Sequence, residues 1–327
     1  MLTYLGQTIF HAIIAVVFVE ALLRVWRIGQ PDVRLTCRLV ALVLPLVALP
    51  AFYALVPFRF APAFAERWAL LSISRWEQIR VAGIGLDIAA IACLGSAGIA
   101  LFLFDALPAL RLWLIDRSLP LANDPPCLAR LAGEATRLKS NRPGPAPAVR
   151  LVDSRSPVLM CSGLVNPRLV VSTGAVESLD ERQLRAGLAH ELAHAEYHDP
   201  RMSWALMAVR ALFFYSPATQ VVARAAVAEM ERRADDRSVS VTGDRFAMAG
   251  ALVKLYAMQY QTARGSRAHG ASLLRRVASW LHTGRAAAVE RRCRRLLSPD
   301  PRLPLPFRPF LEVLAGVSLF FLLFFVV

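Results

Sequence analysis

The sequence predicts a multi-pass α-helical membrane protein with a second, mainly α (α+β) domain carrying a small β-sheet. Three observations predict it. Four apolar runs are each long enough to cross ~30 Å of hydrocarbon. A polar, arginine-rich stretch, residues 108–306, separates the third run from the fourth. That stretch mixes helical periodicity with one short segment of strands and turns. The chain is 56% hydrophobic and 19% charged. Soluble domains run nearer ~45–50% and ~25%, so an ordinary soluble protein is excluded.

The apolar runs are about 5–25, 35–56, 84–107 and 309–327. The first has no basic stretch before it and no A-x-A site after it, so it reads as a retained helix and not a signal peptide. His11, Glu20, Arg38, Asp87 and Asp105 interrupt the runs. Most sit within a turn or two of an end, where snorkelling to the interface is the ordinary reading. Asp87 fits that reading least and is expected to face another helix.

Arginine placement sets the orientation. Arg24, Arg27, Arg34 and Arg38 cluster between the first two runs, which puts that loop in the cytoplasm and the N-terminus outside. The loop 57–82 then lies outside. Its Trp68, Trp76 and alternating Leu/Ile predict a helix on the membrane surface, although Arg59, Arg67, Arg75 and Arg80 there run against the charge rule. The expected division is 1–107 (three spans), 108–306 (one cytoplasmic domain with 29 of the 38 basic residues) and 307–327 (a last span). No sensor domain is expected after Val327.

The net charge of +14 comes almost wholly from arginine, since Lys139 and Lys254 are the only lysines. Residues 264–302 hold ten arginines, interleaved with Leu273, Leu274, Val277, Trp280, Leu281, Leu296 and Leu297. A basic amphipathic segment before a span fits anionic lipid better than nucleic acid. The five scattered cysteines form no C-x-x-C pair, which argues against both a disulfide framework and a thiolate zinc site.

Within 108–306, Pro-rich loops flank a helix near 127–140. Strands follow at 148–152, 157–161 and 168–172, the last two joined as a hairpin by Gly163, Asn166 and Pro167. Ser178 and Glu181 then form an S-x-x-E capping box for a helix running to about His198, where Asp199-Pro200 stops it. Further helices are expected at 203–215, 218–240 and 244–261, with Arg210 making the stretch 204–215 an amphipathic helix of the domain.

The chemistry is concentrated in His190-Glu191-Leu192-Ala193-His194, an H-E-x-x-H motif inside a helix. Spacing of four puts the two imidazoles one above the other, ~40° apart in rotation, so both can reach one tetrahedral metal. Glu191 flanks that position and can take a proton from a water held there. With 6 His and 12 Glu, the pattern would arise in roughly 0.4% of shuffled chains, which makes a surface helix with two histidines the weaker reading. A third protein ligand is required. His198, Glu229, Glu231, Asp235 and Asp236 are the candidates. His198 lies ~6 Å further up a straight helix than His194. Glu231 and Asp235, four apart on another helix, share a face; one can bind the metal while the other orients a ligating histidine.

With these residues in view, the chain resembles the membrane gluzincin metallopeptidases. It is similar to the BlaR/MecR-type signal-transducing peptidases through Pro167-Arg-Leu-Val-Val-Ser, Gln183-Leu-Arg-Ala-Gly-Leu-Ala-His-Glu-Leu-Ala-His and Tyr215-Ser-Pro217, and through three spans before the peptidase domain and one after it. The HtpX-type proteases are the related branch. The resemblance implies a zincin-like metallopeptidase fold. It implies zinc bound by His190, His194 and Glu231, Glu191 as general base, and Asp235 and Asp199 steadying the ligands. His198 and Tyr215 stay open as contacts for the oxyanion or substrate, as do Tyr197, His269 and His282. Arg291 or Arg292, in Glu290-Arg-Arg-Cys-Arg-Arg-Leu-Leu, resembles a family segment expected to dock a helix without doing chemistry.

The implied activity is endoproteolysis of a protein or peptide at the cytoplasmic face of a bacterial-type inner membrane, with a transcriptional repressor as one substrate class. The implied partners are the bilayer and, as an open case, a second copy of the chain. Two alternatives are kept: an HtpX-like quality-control protease, and a non-catalytic membrane signalling scaffold, which the intact Glu191 disfavours.

Overall fold

The computed structural model describes residues 2–70, 80–81, 84–118, 120–139, 145–265, 286–298 and 308–326. The chain is mostly helical and divides into two compact units. The first comprises Met1–Leu112, Ala205–Met230 and Arg302–Val327, and the second Trp113–Trp204 and Glu231–Pro301. Ala205–Met230 thus groups with the apolar helices, unlike the continuous 108–306 domain expected from sequence.

In the first unit, α1 (Leu2–Val25) and α2 (Pro31–Leu55) pack together, and both meet α12 (Arg308–Phe324). Gly6–Val25, Pro31–Leu55 and, within α4 (Leu86–Ser118), Ile88–Asp105 are long and apolar enough to span a bilayer. The described part of the fourth apolar helix, α12, has 17 residues, about 25 Å at the helical rise. The loop after α2 is not one surface helix. Pro57 and Pro62 each open a new turn, giving a 3₁₀ turn (Pro57–Phe60) and then α3 (Pro62–Arg67). Trp68 is exposed, and Trp76 lies outside the described residues. The two-residue strands β1 (Arg80–Val81) and β2 (Ile84–Gly85) pair before α4.

The polar residues in these runs face protein, which corrects the snorkelling expectation. Arg38 is buried and donates from Nε to Glu20 (2.7 Å) and from Nη1 to Glu229. Arg34 reaches the same Glu229 at 2.8 Å. Asp105 accepts from Arg210 and Arg224, both at 2.5 Å. Arg210 is therefore a buried partner of α4 and not the polar face of a surface helix. Arg59 is fully buried and caps the C-terminal end of α12 through the carbonyls of Phe324 (2.7 Å) and Leu323 (2.9 Å), where the helix dipole favours a cation. His11 bonds the Val326 carbonyl at 2.8 Å. Each of these side chains finds at least one polar partner inside the protein, as hydrocarbon surroundings favour. The side chain of Asp87 lies outside the described residues.

The second unit is built on a three-stranded sheet in the order β3-β5-β4. β3 (Ala148–Val152) runs parallel to β5 (Arg168–Ser172), and β4 (Leu159–Ser162) runs antiparallel to it. The expected β4–β5 hairpin forms. Gly163 turns it at φ 104°, a conformation that favours glycine, and a Cβ there would lie 2.3 Å from the Asn166 carbonyl oxygen. Helix α5 (Pro125–Leu138), capped by Asp124 on the Cys127 amide (3.0 Å), and helix α7 (Glu181–Glu196) pack against the sheet. Their apolar stripes meet Leu151, Leu169 and Val171 in one core with Leu131, Leu138, Leu184, Leu188 and Leu192.

The start of α7 differs from the expected one. Ser178 closes a short helix, α6 (Thr173–Ser178), and the capping box is made by Asp180 and Gln183. The end differs too. α7 stops at Glu196, and His198 adopts φ 57°, the left-handed conformation that terminates helices. Asp199-Pro200 then opens α8 (Asp199–Leu212), because proline is well suited to a first turn. α9 (Pro217–Thr242), α10 (Arg245–Gly265) and α11 (286–297) complete the described helices. Most of the basic segment 264–302 lies outside the described residues.

Candidate functional site

Helix α7 presents His190 and His194 one turn apart, with Nε2 atoms 3.1 Å from each other and rings nearly perpendicular at 87°. Glu231, at the start of the α9 portion in the second unit, closes the group. Its Oε2 lies 3.5 Å from His190 Nε2 and its Oε1 3.7 Å from His194 Nε2. The two imidazole nitrogens thus stand 3.1 Å apart, each facing a different oxygen of the Glu231 carboxylate, and one donor atom from each of the three residues lies within 4.8 Å of the others, a donor triangle. A tetrahedral zinc with bonds of ~2.0–2.1 Å requires donors ~3.4 Å apart. The donor set and its spacing fit that ion.

Each histidine has a carboxylate beside its other nitrogen, and for His194 the contact is a hydrogen bond. His190 Nδ1 lies 3.1 Å from Asp235 Oδ1, and His194 Nδ1 lies 2.7 Å from Asp199 Oδ2. The carboxylates are held in turn. Arg233 donates to Asp199 at 2.5 Å, and its guanidinium lies over the Tyr197 ring at 4.0 Å. Arg292, on α11, grips Asp235 with two bonds of 2.6 and 2.8 Å and places Nη1 2.8 Å from Glu231 Oε2. The expectation that this arginine only docks a helix is therefore corrected: it reaches both carboxylates of the cluster and comes within 3.4 Å of His190 Nε2. Its segment stood out in the sequence, but residues 57 positions from Asp235 give no local signal of that contact.

Glu191 stands beside the triangle and is not part of it. Its Oε2 accepts a 2.7 Å hydrogen bond from the Cys161 backbone N–H on β4. Burial pushes its carboxyl above the ordinary value, against the pull of the two histidines. For Glu231 burial acts the same way, but His190, His194 and Arg292 outweigh it and hold the carboxyl low. Burial also disfavours a charged His190, yet Asp235 and Glu231 overcome it and push the imidazole up to about 10. The group therefore combines opposed charges in a shielded place, a usual property of reactive sites.

The family model described as BlaR1 peptidase M56 matches residues 84–278, which include both histidines, Glu191, Glu231 and Asp235. The chain belongs to that family. An M56 peptidase of this kind is a membrane metallopeptidase. The chain is also similar to "Protease HtpX homolog" of Acidiphilium cryptum (strain JF-5), at 27% identity over 160 residues, covering 38% of this chain and 55% of that protein. The M56 chain thus spans little more than half the length of that curated relative.

The other sequence candidates are not brought into the cluster. His198 is exposed beyond the end of α7. Tyr215 belongs to the first unit, where its ring meets Phe213 and Phe214. Glu229 is also in that unit, bound to Arg34 and Arg38. Asp236 pairs with Arg295 at 2.7 Å. His269 and His282 lie outside the described residues.

Proposed function

We propose that this chain is a zinc endopeptidase that cuts a protein substrate at the cytoplasmic face of a bacterial-type inner membrane, in signalling or regulated proteolysis. The observation that carries the reading is the donor triangle of His190, His194 and Glu231 with Glu191 beside it. When bound, zinc supplies Lewis acidity toward water and toward a peptide carbonyl. The residues do the rest. Asp235 and Asp199 hold the Nδ1 side of each imidazole, so that both Nε2 atoms turn inward. Glu191 takes the proton of the attacking water and returns it to the leaving amine. The outer edge of β4 offers backbone groups to an extended peptide. The cytoplasmic placement rests on the arginines of the first loop.

The test uses the purified full-length chain. Wild type is expected to hold one zinc and to cleave casein or itself, while Glu191→Gln keeps the zinc and loses cleavage. Cleavage retained by that variant would overturn the assignment of the base. A second reading, membrane quality control, is favoured by the relative named as a protease HtpX homolog. Comparative proteomics of wild type against Glu191→Gln separates the two. One accumulating regulator supports signalling, and a broad set of damaged membrane proteins supports quality control.

A further inference from the structure

We propose that the backbone N–H of Cys161 is the positioning group of the candidate general base: it holds the Glu191 carboxylate at a set place beside the ligand triangle. The inference rests on the catalytic reading of Glu191 given above.

Three independent observations carry it. The first is the ladder. β4 pairs with β5 in the register Leu159↔Val171, Met160↔Val170, Cys161↔Leu169 and Ser162↔Arg168. Ser172 N donates to Val158 O at 2.9 Å, so Val158 and Ser172 form a hydrogen-bonded pair. Bonded and non-bonded pairs alternate along an antiparallel ladder. Met160 and Ser162 therefore bond β5, while Leu159 and Cys161 turn their N–H and C=O groups toward the free edge. The N–H of Cys161 is thus available, and Glu191 Oε2 takes it at 2.7 Å. The second is the approach of the elements. Gly187 lies one turn before Glu191 on α7, and a Cβ there would stand 2.5 Å from Leu159 Cδ2. The Leu159 side chain on β4 thus packs directly on the α7 backbone at that turn. The third is the carboxylate itself. Glu191 is half-buried, stands between the two histidines in sequence yet outside their triangle, and the Cys161 N–H is a neutral donor that gives it a fixed direction. A carboxylate there without a donor would be free to swing onto the ligand position. With the N–H committed to Glu191, an added peptide strand pairs with β4 through the remaining edge groups, the Leu159 N–H and C=O and the Cys161 C=O.

Amide hydrogen exchange at residue resolution, on the full-length chain stripped of metal, tests the contact without any assay of activity. An outward edge amide with no partner exchanges freely, whereas a bonded one is slowed. The Cys161 amide is expected to exchange at least ~10-fold more slowly than a free edge amide. Glu191→Ala is expected to abolish that protection while leaving Met160 and Ser162 unchanged. Cys161→Ala, which keeps the N–H, should keep it. An unprotected Cys161 amide in wild type, or equal protection in Glu191→Ala, overturns the proposal.

Activity then tests the role. Cys161→Pro removes this N–H and no bond of the ladder, since proline is tolerated on an edge with its nitrogen facing out. It is expected to lower kcat by ~10²-fold, with KM and zinc content little changed, as for a misplaced catalytic group. Unchanged kcat overturns the role. If the proline variant does not fold, an α-hydroxy acid at position 161 removes the same N–H without the ring and gives the same reading. Should wild type with bound zinc cleave nothing, the catalytic reading fails, and the exchange result still decides the contact.

Discussion

At the scale of single residues, the site is a chain of braces. Arg233 holds Asp199, Asp199 holds His194, and His194 meets His190 and Glu231. Outer partners of this kind fix ring orientation, and their loss typically weakens metal binding ~10–100-fold. Asp199→Ala is expected to fall in that range when zinc affinity is measured against a competing chelator, with the helix content unchanged. The variant also tests the resemblance, which implies that Asp199 steadies a ligand, where its place in the sequence alone reads as a helix stop; the fold sets it against His194. Asp235 lies four residues after Glu231 and was legible as its companion from spacing alone. Arg292 was not legible as part of the cluster, since its two carboxylate partners come from another helix.

At the scale of elements, the H-E-x-x-H helix was readable from its motif, whereas its two ends were not. Ser178 and Asp180 compete as caps, and the winner at the N-terminus is Asp180, which satisfies the Gln183 amide at 2.9 Å. At the other end His198 takes a left-handed conformation that costs an L-residue ~1–2 kcal/mol. His198→Gly is therefore expected to stabilise the second unit by up to about 1 kcal/mol, once glycine's greater unfolded entropy is deducted, and to leave zinc content unchanged. A loss of zinc in that variant would return His198 to the ligand set.

Helix α10 offers a test in pH. Asp244 caps it by accepting from the Ala247 N–H at 2.9 Å, and it pairs with Arg182 Nε at 2.7 Å. The Ala247 N–H and Arg182 hold its carboxyl below the ordinary value. A lowered folded value means that the contribution is complete above ~pH 4, the unfolded value, and is lost as pH falls through the folded one. Thermal unfolding of wild type should drop across that acidic window. Asp244→Asn should flatten the drop, because it keeps the cap and does not titrate.

At the scale of the whole molecule, the apolar unit is held by internal charge pairs as well as by its apolar surface. Arg38 serves Glu20 and Glu229 from a buried position. Removing one member of a buried pair costs on the order of 3–5 kcal/mol. Arg38→Ala is expected to unfold well below wild type in detergent, and Arg38→Lys to recover only part of the loss, since an ammonium lacks the fork that reaches two carboxylates. Wild-type stability for Arg38→Ala would mean that the pairs are surface features after all.

By itself the sequence determined the class of the molecule. The apolar runs require a membrane, and the histidine spacing puts two imidazoles on one helix face. These follow from local pattern, because hydrophobic length, charge and the 3.6-residue period act within one segment. Only the tertiary structure decided which carboxylates meet which cations. It turned Glu20, Arg38 and Asp105 inward, grouped residues 205–230 with the apolar helices, put Arg292 against Glu231 and Asp235, and put the Cys161 amide against Glu191. The reason is physical: a buried charge or an edge amide takes whichever partner the packing brings within ~3 Å, and packing is settled by segments far apart in the chain.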